Sequence, residues 1–397
     1  MKRGIVFCGG GSLGSYEIGA WKALRELGED RFQIATGTSI GSIHAAMYAC
    51  DQFDTALTMW KKIEVQNIIR DGMDIDFDLI KKFSLKKGAP FRTFFASYLR
   101  NHGVDNTPFE ELLRKTVEPL PLAESPVKVG IVSTAFPSLR EVNVVLNDVN
   151  PSERIDWLLA SAACVPVFPV YKFGKRRFID GGWVNNLPID LALKMGAEEV
   201  VAIKLNCVPA PRHTELYKLP NVTLIAPSRS QGSEFVFARK AIDANMLMGY
   251  QDVMKVYGRL GGIAYAFEPK SMAKATKLFF APIYKEMASA YLYLEAYSKR
   301  GLPPGRKLSP ENVFAGVLEK ALRRYDCPHP EKVRTVEEAL QFLKGAIGKD
   351  KTPHGRSQAR DYLRDFSQKE PVKLSFRDGK RIGMAYLIRL MKGYNLL

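Results

Sequence analysis

Over the first two thirds of the chain, short apolar runs rich in Val and Ile alternate with stretches whose apolar positions recur at helical spacing. Gly4-Ile5-Val6-Phe7-Cys8 runs without a polar break into glycines and predicts a buried strand over Arg3–Cys8. Ser15–Leu27 sets Ile18, Trp21 and Leu24 on one helical face and stops at Gly28, a helix with a glycine C-cap. A strand over Phe32–Ala35 and a helix over Ile40–Cys50 follow. Further strands are expected at Val127–Thr134, Glu141–Leu146, Lys175–Ile179, Glu199–Lys204 and Val222–Ile225, with helices between several of them. This alternation predicts a largely parallel sheet covered on both faces, with its chemistry in the loops at the carboxyl ends of the strands. After about residue 255 the pattern turns mainly helical, at 283–299, 309–325, 335–346, 356–367 and 380–393. Turn chemistry at Gly301-Leu302-Pro303-Pro304-Gly305 and Thr352-Pro353-His354-Gly355 separates these helices. The expected division is 1–254, α/β, and 255–397, mostly helical.

Composition narrows the classes. The 397 residues are 46% hydrophobic and 25% charged, which excludes disordered, collagen-like and fibrous chains. No apolar run reaches the roughly 18 residues of a membrane-spanning helix, and the apolar stretch after Lys2-Arg3 is too short for a signal-peptide core. The expected address is cytoplasmic. Cys8, Cys50, Cys164, Cys207 and Cys327 are odd in number and form no CxxC or Cys/His cluster, so they read as buried thiols with no metal to hold.

Charge is unevenly spread. Of the net +16, only +2 lies in residues 1–254 and +14 in residues 255–397. That field suits phospholipid headgroups, nucleic acid or an acidic protein, or it is a solvated basic surface. Nothing resembles a helix-turn-helix, zinc finger or RNP pattern, so nucleic acid is set aside as a partner. Two segments fit a transient anionic membrane surface, and with it peripheral membrane association. One is the helical stripe Tyr284, Met287, Tyr291, Leu294 and Tyr297; the other is the basic, apolar helix Arg381–Lys392. The plainer reading is that both dock on the α/β domain or on each other.

Two glycine-rich turns carry the candidate chemistry. Gly9-Gly10-Gly11-Ser12-Leu13-Gly14 follows a strand and opens a helix, and it fits both GxGxxG and, from Gly10, GxSxG. A dinucleotide site needs an acid at the end of the second strand, where this chain has Thr36-Gly37-Thr38. Gly37-Thr38-Ser39-Ile40-Gly41 is GxSxG again, between strand and helix. Glycines two before and two after a serine permit the sharp turn that exposes a nucleophilic hydroxyl. The amides of Gly9, Gly10 and Gly11 at a helix start form an anion site suited to an oxyanion beside Ser39, with Ser12 part of that loop. The plain alternative makes Ser39 a helix N-cap.

A serine nucleophile needs a base. His44 lies five residues beyond Ser39 on the same helix and points elsewhere; His213 is the histidine placed for a Ser-Asp-His order. Asp180, at the end of a strand in Phe178-Ile179-Asp180-Gly181-Gly182-Trp183, is the stronger candidate, since burial would raise its pKa. Its plain alternative is an Asx-type turn.

Four segments together resemble the patatin-like phospholipase family. They are Gly9–Gly14, the elbow Gly37–Gly41, Ala160-Ser161-Ala162-Ala163-Cys164-Val165-Pro166-Val167-Phe168-Pro169, and Asp180-Gly181-Gly182 followed by Asn185-Asn186-Leu187-Pro188. The likeness covers about residues 3–250. It implies a three-layer α/β/α fold and hydrolysis of lipid carboxylic esters, of the phospholipase A or lysophospholipase type, through a Ser39–Asp180 dyad and an acyl-enzyme. It implies oxyanion donors from Gly9, Gly10 and Gly11, support from Gly14, Gly37, Gly41, Gly181 and Gly182, and neither metal nor cofactor. Leu13 departs from the Arg or Lys that many members carry, which weakens any expected preference for strongly anionic headgroups. Phe91–Leu99 is dense in aromatics, as a pocket wall or a core helix would be, and Trp183 and Tyr16 are candidates to line the site. Other readings are a lipid- or partner-binding protein of this fold with little turnover, and an effector hydrolase that needs an activator.

Overall fold

The computed structural model describes residues 1–70, 105–117, 122, 124–286, 288–328, 330–349 and 376–396. They form two units, Met1–Tyr250 and Gln251–Leu397, divided inside one helix. The sequence pattern puts the division a helical turn later. The expected helix 356–367, the aromatic segment Phe91–Leu99 and Met287 lie outside the described residues.

The first unit runs β1 (Arg3–Phe7), α1 (Ser15–Leu27), β2 (Ile34–Thr38), α2 (Ile40–Ala49), α3 (Phe53–Lys62), α4 (Thr107–Thr116), β3 (Lys128–Ala135), β4 (Glu141–Val145) and α5 (Arg154–Ser161). It continues with β5 (Tyr171–Phe173), β6 (Arg176–Asp180), α6 (Ile189–Lys194), β7 (Glu199–Ile203), β8 (Val222–Ile225) and α7 (Arg239–Val256). β1, β2, β3, β7 and β8 are parallel, and β4, β5 and β6 pair antiparallel. The parallel strands are apolar nearly throughout because both faces are covered. β2 shows how. Thr36 and Thr38 send their hydroxyls to the carbonyls of Pro188 and Asn185 beside α6, at 3.0 and 2.7 Å, whereas Gly37 turns its other face to Gly41 of α2. The sheet therefore lies between helices on both sides, a three-layer α/β/α arrangement. α1 ends as its sequence requires, with Gly28 at φ 70°.

The register of β3 positions the site. β4 faces Gly130–Thr134 along one edge of β3. On the other edge β2 takes Lys128–Val132 in parallel, and β6 takes Ser133–Ala135 in antiparallel sense. Thr38, last in β2, pairs with Val132; Asp180, last in β6, pairs with Ser133. The two strands thus run toward each other along one edge and meet at their carboxyl ends.

The second unit holds the short parallel pair β9 (Ala266–Phe267) and β10 (Val333–Arg334) with α8 (Pro269–Glu286), α9 (Ala290–Lys299), α10 (Pro310–Arg324), α11 (Val336–Lys349) and α12 (Phe376–Gly393). α10 starts as its sequence suggests, with Pro310 in the first turn and the Ser309 hydroxyl accepting from the Asn312 amide. The expected helix 283–299 is corrected to two. α8 continues through Pro282 to Glu286, because Met272, Ala275, Phe279, Phe280 and Ile283 pack as one core face, and α9 begins afresh at Ala290. The aromatic stripe is accordingly split, with Tyr284 stacking on Tyr291 across the break. Tyr293, Leu294 and Tyr297 are core residues, as are Ile382, Tyr386, Leu387, Leu390 and Met391 of α12. The apolar face expected to anchor Arg381–Lys392 in a membrane is therefore used inside this unit. No helix among the described residues is long and apolar enough to cross a membrane.

Candidate active site

Ser39 follows β2 directly and takes φ 54°, ψ −127°, a conformation that costs a non-glycine residue about 1–3 kcal/mol. Its surroundings impose it. The Ser39 amide donates to Ser161 Oγ at 2.9 Å, and that hydroxyl donates to the Val132 carbonyl at 2.6 Å. A Cβ on Gly37 would fall 2.0 Å from the Gly41 carbonyl, and one on Gly41 would fall 2.5 Å from that of Phe7. Both glycines of the elbow are needed for this close approach. The N-cap reading of Ser39 is corrected in part: it occupies the cap position of α2, but its hydroxyl makes no capping bond. The Asp180 carboxyl lies close enough to that hydroxyl for the serine to lower the carboxyl's pKa.

Asp180 also starts a short turn in which its Oδ1 accepts the Gly182 amide at 2.7 Å, so the Asx-turn and site readings hold together. Its backbone is fixed by the Ala163 carbonyl at 2.8 Å and the Thr134 hydroxyl at 2.8 Å. With only 6% of its surface exposed, burial pushes the carboxyl up to about 6, against the nearby Ser39 hydroxyl and the Gly182 hydrogen bond, which lower it. Gly181 sits under it against Val132 and Thr38.

The glycine loop needs one correction. The Gly9 amide is bonded to the Asn186 carbonyl at 3.0 Å and is not a free donor. Leu13 bonds back to Gly10, and Ser12 donates through its amide to Glu234 and through its hydroxyl to Ser233. Among the described residues, the amides of Gly10 and Gly11 are left unpaired, and both glycines line the cavity that holds Ser39 and Asp180. Gly14 closes the turn beneath them against Ile40 and His44. Leu13 is fully buried, so its place faces the core.

The cavity has a volume of about 690 Å³. Its described walls are mainly apolar, from α3, α4, the Ala162–Phe168 turn and the loop carrying Phe235 and Phe237. Trp183 lines it as expected; Tyr16 is fully buried in α1 and does not. A few polar groups, among them Ser39, Asp180 and Asn186, stand in mainly apolar walls, as a site for an apolar chain with a polar reacting group requires.

Of the five histidines, His44 and His213 are among the described residues. His44 Nδ1 meets Glu17 Oε2 at 2.7 Å and its Nε2 accepts from Trp60 Nε1 at 2.9 Å, while Glu17 Oε1 accepts the Cys8 amide at 2.6 Å. Burial drives His44 down to about 3 and Glu17 well up, so this network stays in place as structure. His213 is exposed and faces Glu215. Neither reaches Ser39.

Residues 5–193 match the family model described as patatin-like phospholipase. The chain carries a patatin-like phospholipase domain. It is 29% identical over 203 residues to patatin-like phospholipase domain-containing protein 6 of Homo sapiens, and 25% identical to protein 7 of Rattus norvegicus. Each match covers 50% of this chain and 13% of the relative, so the chain matches only a small part of those proteins. Among solved structures, VipD from Legionella pneumophila is similar over 99% of this chain and 88% of that one, with TM-score 0.42 and 13% identity. ExoU of Pseudomonas aeruginosa, crystallised with SpcU, covers 99% and 90% with TM-score 0.34 and 14% identity.

The roles of three site residues, two of them inside motifs that carry the resemblance, are not visible in the sequence. Ser161 fixes the elbow, yet it is one small residue in an apolar run. Asn186 ties Gly9 to Cys207 and Pro209, at 3.0, 2.9 and 3.1 Å, although only its motif is visible in sequence. Glu234 accepts the Ser12 amide on its carbonyl at 2.6 Å and the Val208 amide on its carboxylate. Burial, aided by the Asp180 charge, raises Glu234 to about 7. An acid beside Phe235-Val236-Phe237 is the signal that could have found it.

Proposed function

We propose that the chain is a serine acyl hydrolase that cleaves carboxylic esters of lipids, phospholipid or lysophospholipid among them, through a Ser39–Asp180 dyad. The observation that carries this is the Ser39 hydroxyl close to a buried carboxyl raised to about 6, in one mainly apolar cavity that the unpaired Gly10 and Gly11 amides also line. Asp180 takes the Ser39 proton as Oγ attacks the ester carbonyl, and the Gly10 and Gly11 amides receive the oxyanion. The tetrahedral intermediate collapses, the alcohol leaves with the proton, and an acyl-serine remains. Water that gives a proton to Asp180 then attacks the acyl-serine; the ester C–O bond breaks, Asp180 returns the proton to the departing Ser39 Oγ, and the fatty acid is released. A carboxyl near 6 is half ionised at that pH and a stronger base than a free aspartate. The +14 of residues 255–397 supports the further reading that an anionic lipid surface attracts the chain through charge alone.

The test is fatty-acid release by the purified protein from p-nitrophenyl esters, phospholipid and lysophospholipid. Release from any of them supports the proposal, and none from all three counts against it. His213→Ala is expected to leave the rate essentially unchanged. A collapse in that variant would favour a Ser-His-Asp triad over the dyad.

A further inference from the structure

Two thiols flank the glycine loop. Cys8 follows β1 immediately before Gly9, and Cys207 follows β7, the strand paired with β1. Their sulfurs are 3.7 Å apart, in contact and unbonded. Cys8 is fully buried, while Cys207 lines the cavity and receives the Asn186 amide on its sulfur at 2.9 Å. The Tyr217 hydroxyl is buried with no hydrogen-bond partner among the described residues. No third His, Cys, Asp or Glu among those residues completes a metal set. The pair is thus a dithiol with one member open to the cavity and the other directly behind it.

We propose that Cys8 and Cys207 form a peroxide-sensitive dithiol, in which Cys207 is oxidised from the cavity and Cys8 resolves it to a disulfide. The sulfur of Cys207 attacks one oxygen of a hydroperoxide. The O–O bond breaks, the thiol proton leaves with the departing water or alcohol, and Cys207 becomes a sulfenic acid, two electrons having passed to the peroxide. Cys8 sulfur then attacks Cys207 sulfur. The S–O bond breaks, the hydroxyl leaves as water with the Cys8 proton, and the S–S bond forms.

The disulfide reaches the oxyanion loop by direct contact. An S–S bond of about 2.05 Å needs the sulfurs to close by about 1.7 Å. Cys8 adjoins Gly9, and Cys207 Cβ lies 3.3 Å from where a Gly10 Cβ would stand. The Cys8 amide is tied to Glu17 and the Asn186 side chain to Cys207, so closure pulls on both anchors of the loop. A displacement of about 1 Å at catalytic groups can lower a rate roughly 100-fold.

The test treats the full chain with hydrogen peroxide and maps its peptides under non-reducing conditions. The expected result is a linked Cys8–Cys207 peptide lacking two hydrogens. Ester hydrolysis should fall about 10- to 100-fold and be restored by dithiothreitol. In Cys8→Ser, measured against its own untreated sample, prolonged peroxide should carry Cys207 on to the sulfinic acid, and dithiothreitol should no longer restore the rate. The proposal is overturned if the wild-type chain gives no linked peptide while its other thiols are oxidised. It is equally overturned if Cys8→Ser recovers as the wild type does. The peptide map reads the thiols alone and decides the matter even in a protein that hydrolyses no ester.

Discussion

Ser39→Ala is expected to lower ester hydrolysis by about 10⁴- to 10⁶-fold, the range seen when a serine nucleophile is removed and only binding and oxyanion donors remain. The loss should fall on the turnover rate and leave substrate binding nearly intact, because the apolar walls of the cavity are untouched. Folding should change little. Alanine keeps the Cβ and the backbone bonds to Ser161 and Ser42, and it meets the same φ of 54° that serine already bears. Turnover at constant substrate, with a thermal melt beside it, checks both statements. A variant within tenfold of wild type would remove Ser39 from the chemistry.

Asp180→Asn is expected to cost about 10²- to 10⁴-fold, the usual contribution of a positioned base. The amide keeps an oxygen for the Gly182 hydrogen bond and cannot take a proton from Ser39. Its effect on stability should have the opposite sign. The folded carboxyl sits at about 6, above its unfolded value of roughly 3.9, so the fold favours the protonated form. Stability is therefore lost as pH rises from about 4 through 6, and above that the charged carboxylate costs on the order of 3 kcal/mol. Asparagine escapes that cost, so the inactive variant should melt no lower than wild type at neutral pH and higher than it if the substitution packs well. The same ionisation sets the wild-type rate profile. kcat/KM should climb with pH through an apparent pKa near 6 and level off above it, because only the carboxylate accepts the Ser39 proton. A profile that is flat from pH 5 to 8 would contradict Asp180 as the base.

Much of this site could be read from residue types alone. The elbow was legible because a serine between glycines at a strand-to-helix turn has few other reasons to exist, and Gly37 and Gly41 are excluded from bearing side chains by backbone atoms. The parallel core strands were legible from their unbroken apolar runs. The meeting of Ser39 with Asp180 was expected from the family resemblance and not from residue types, because it depends on β6 pairing antiparallel with β3 just beyond the end of β2, and strand direction leaves no mark on a five-residue segment. Gly9 was taken for a donor because sequence shows which amides exist but not which are already bonded; Asn186, distant in sequence, decides that. The helix expected to start at 283 is preceded in the structure by α8, whose core face from Met272 to Ile283 carries it through Pro282. The basic, apolar helix near the C-terminal end fits a membrane anchor, but packing within the fold is the plainer reading. Its partners, Phe279 and Phe314 among them, come from segments no local pattern connects to it.

The most direct measurement is covalent. A fluorophosphonate should react with the wild-type chain at Ser39 Oγ, displacing fluoride and leaving a phosphonyl oxygen toward Gly10 and Gly11, and peptide mapping should place the adduct on the elbow segment. Asp180→Asn should label far more slowly at that residue. An adduct on any other serine, or none from a preparation that releases fatty acid, would contradict the dyad.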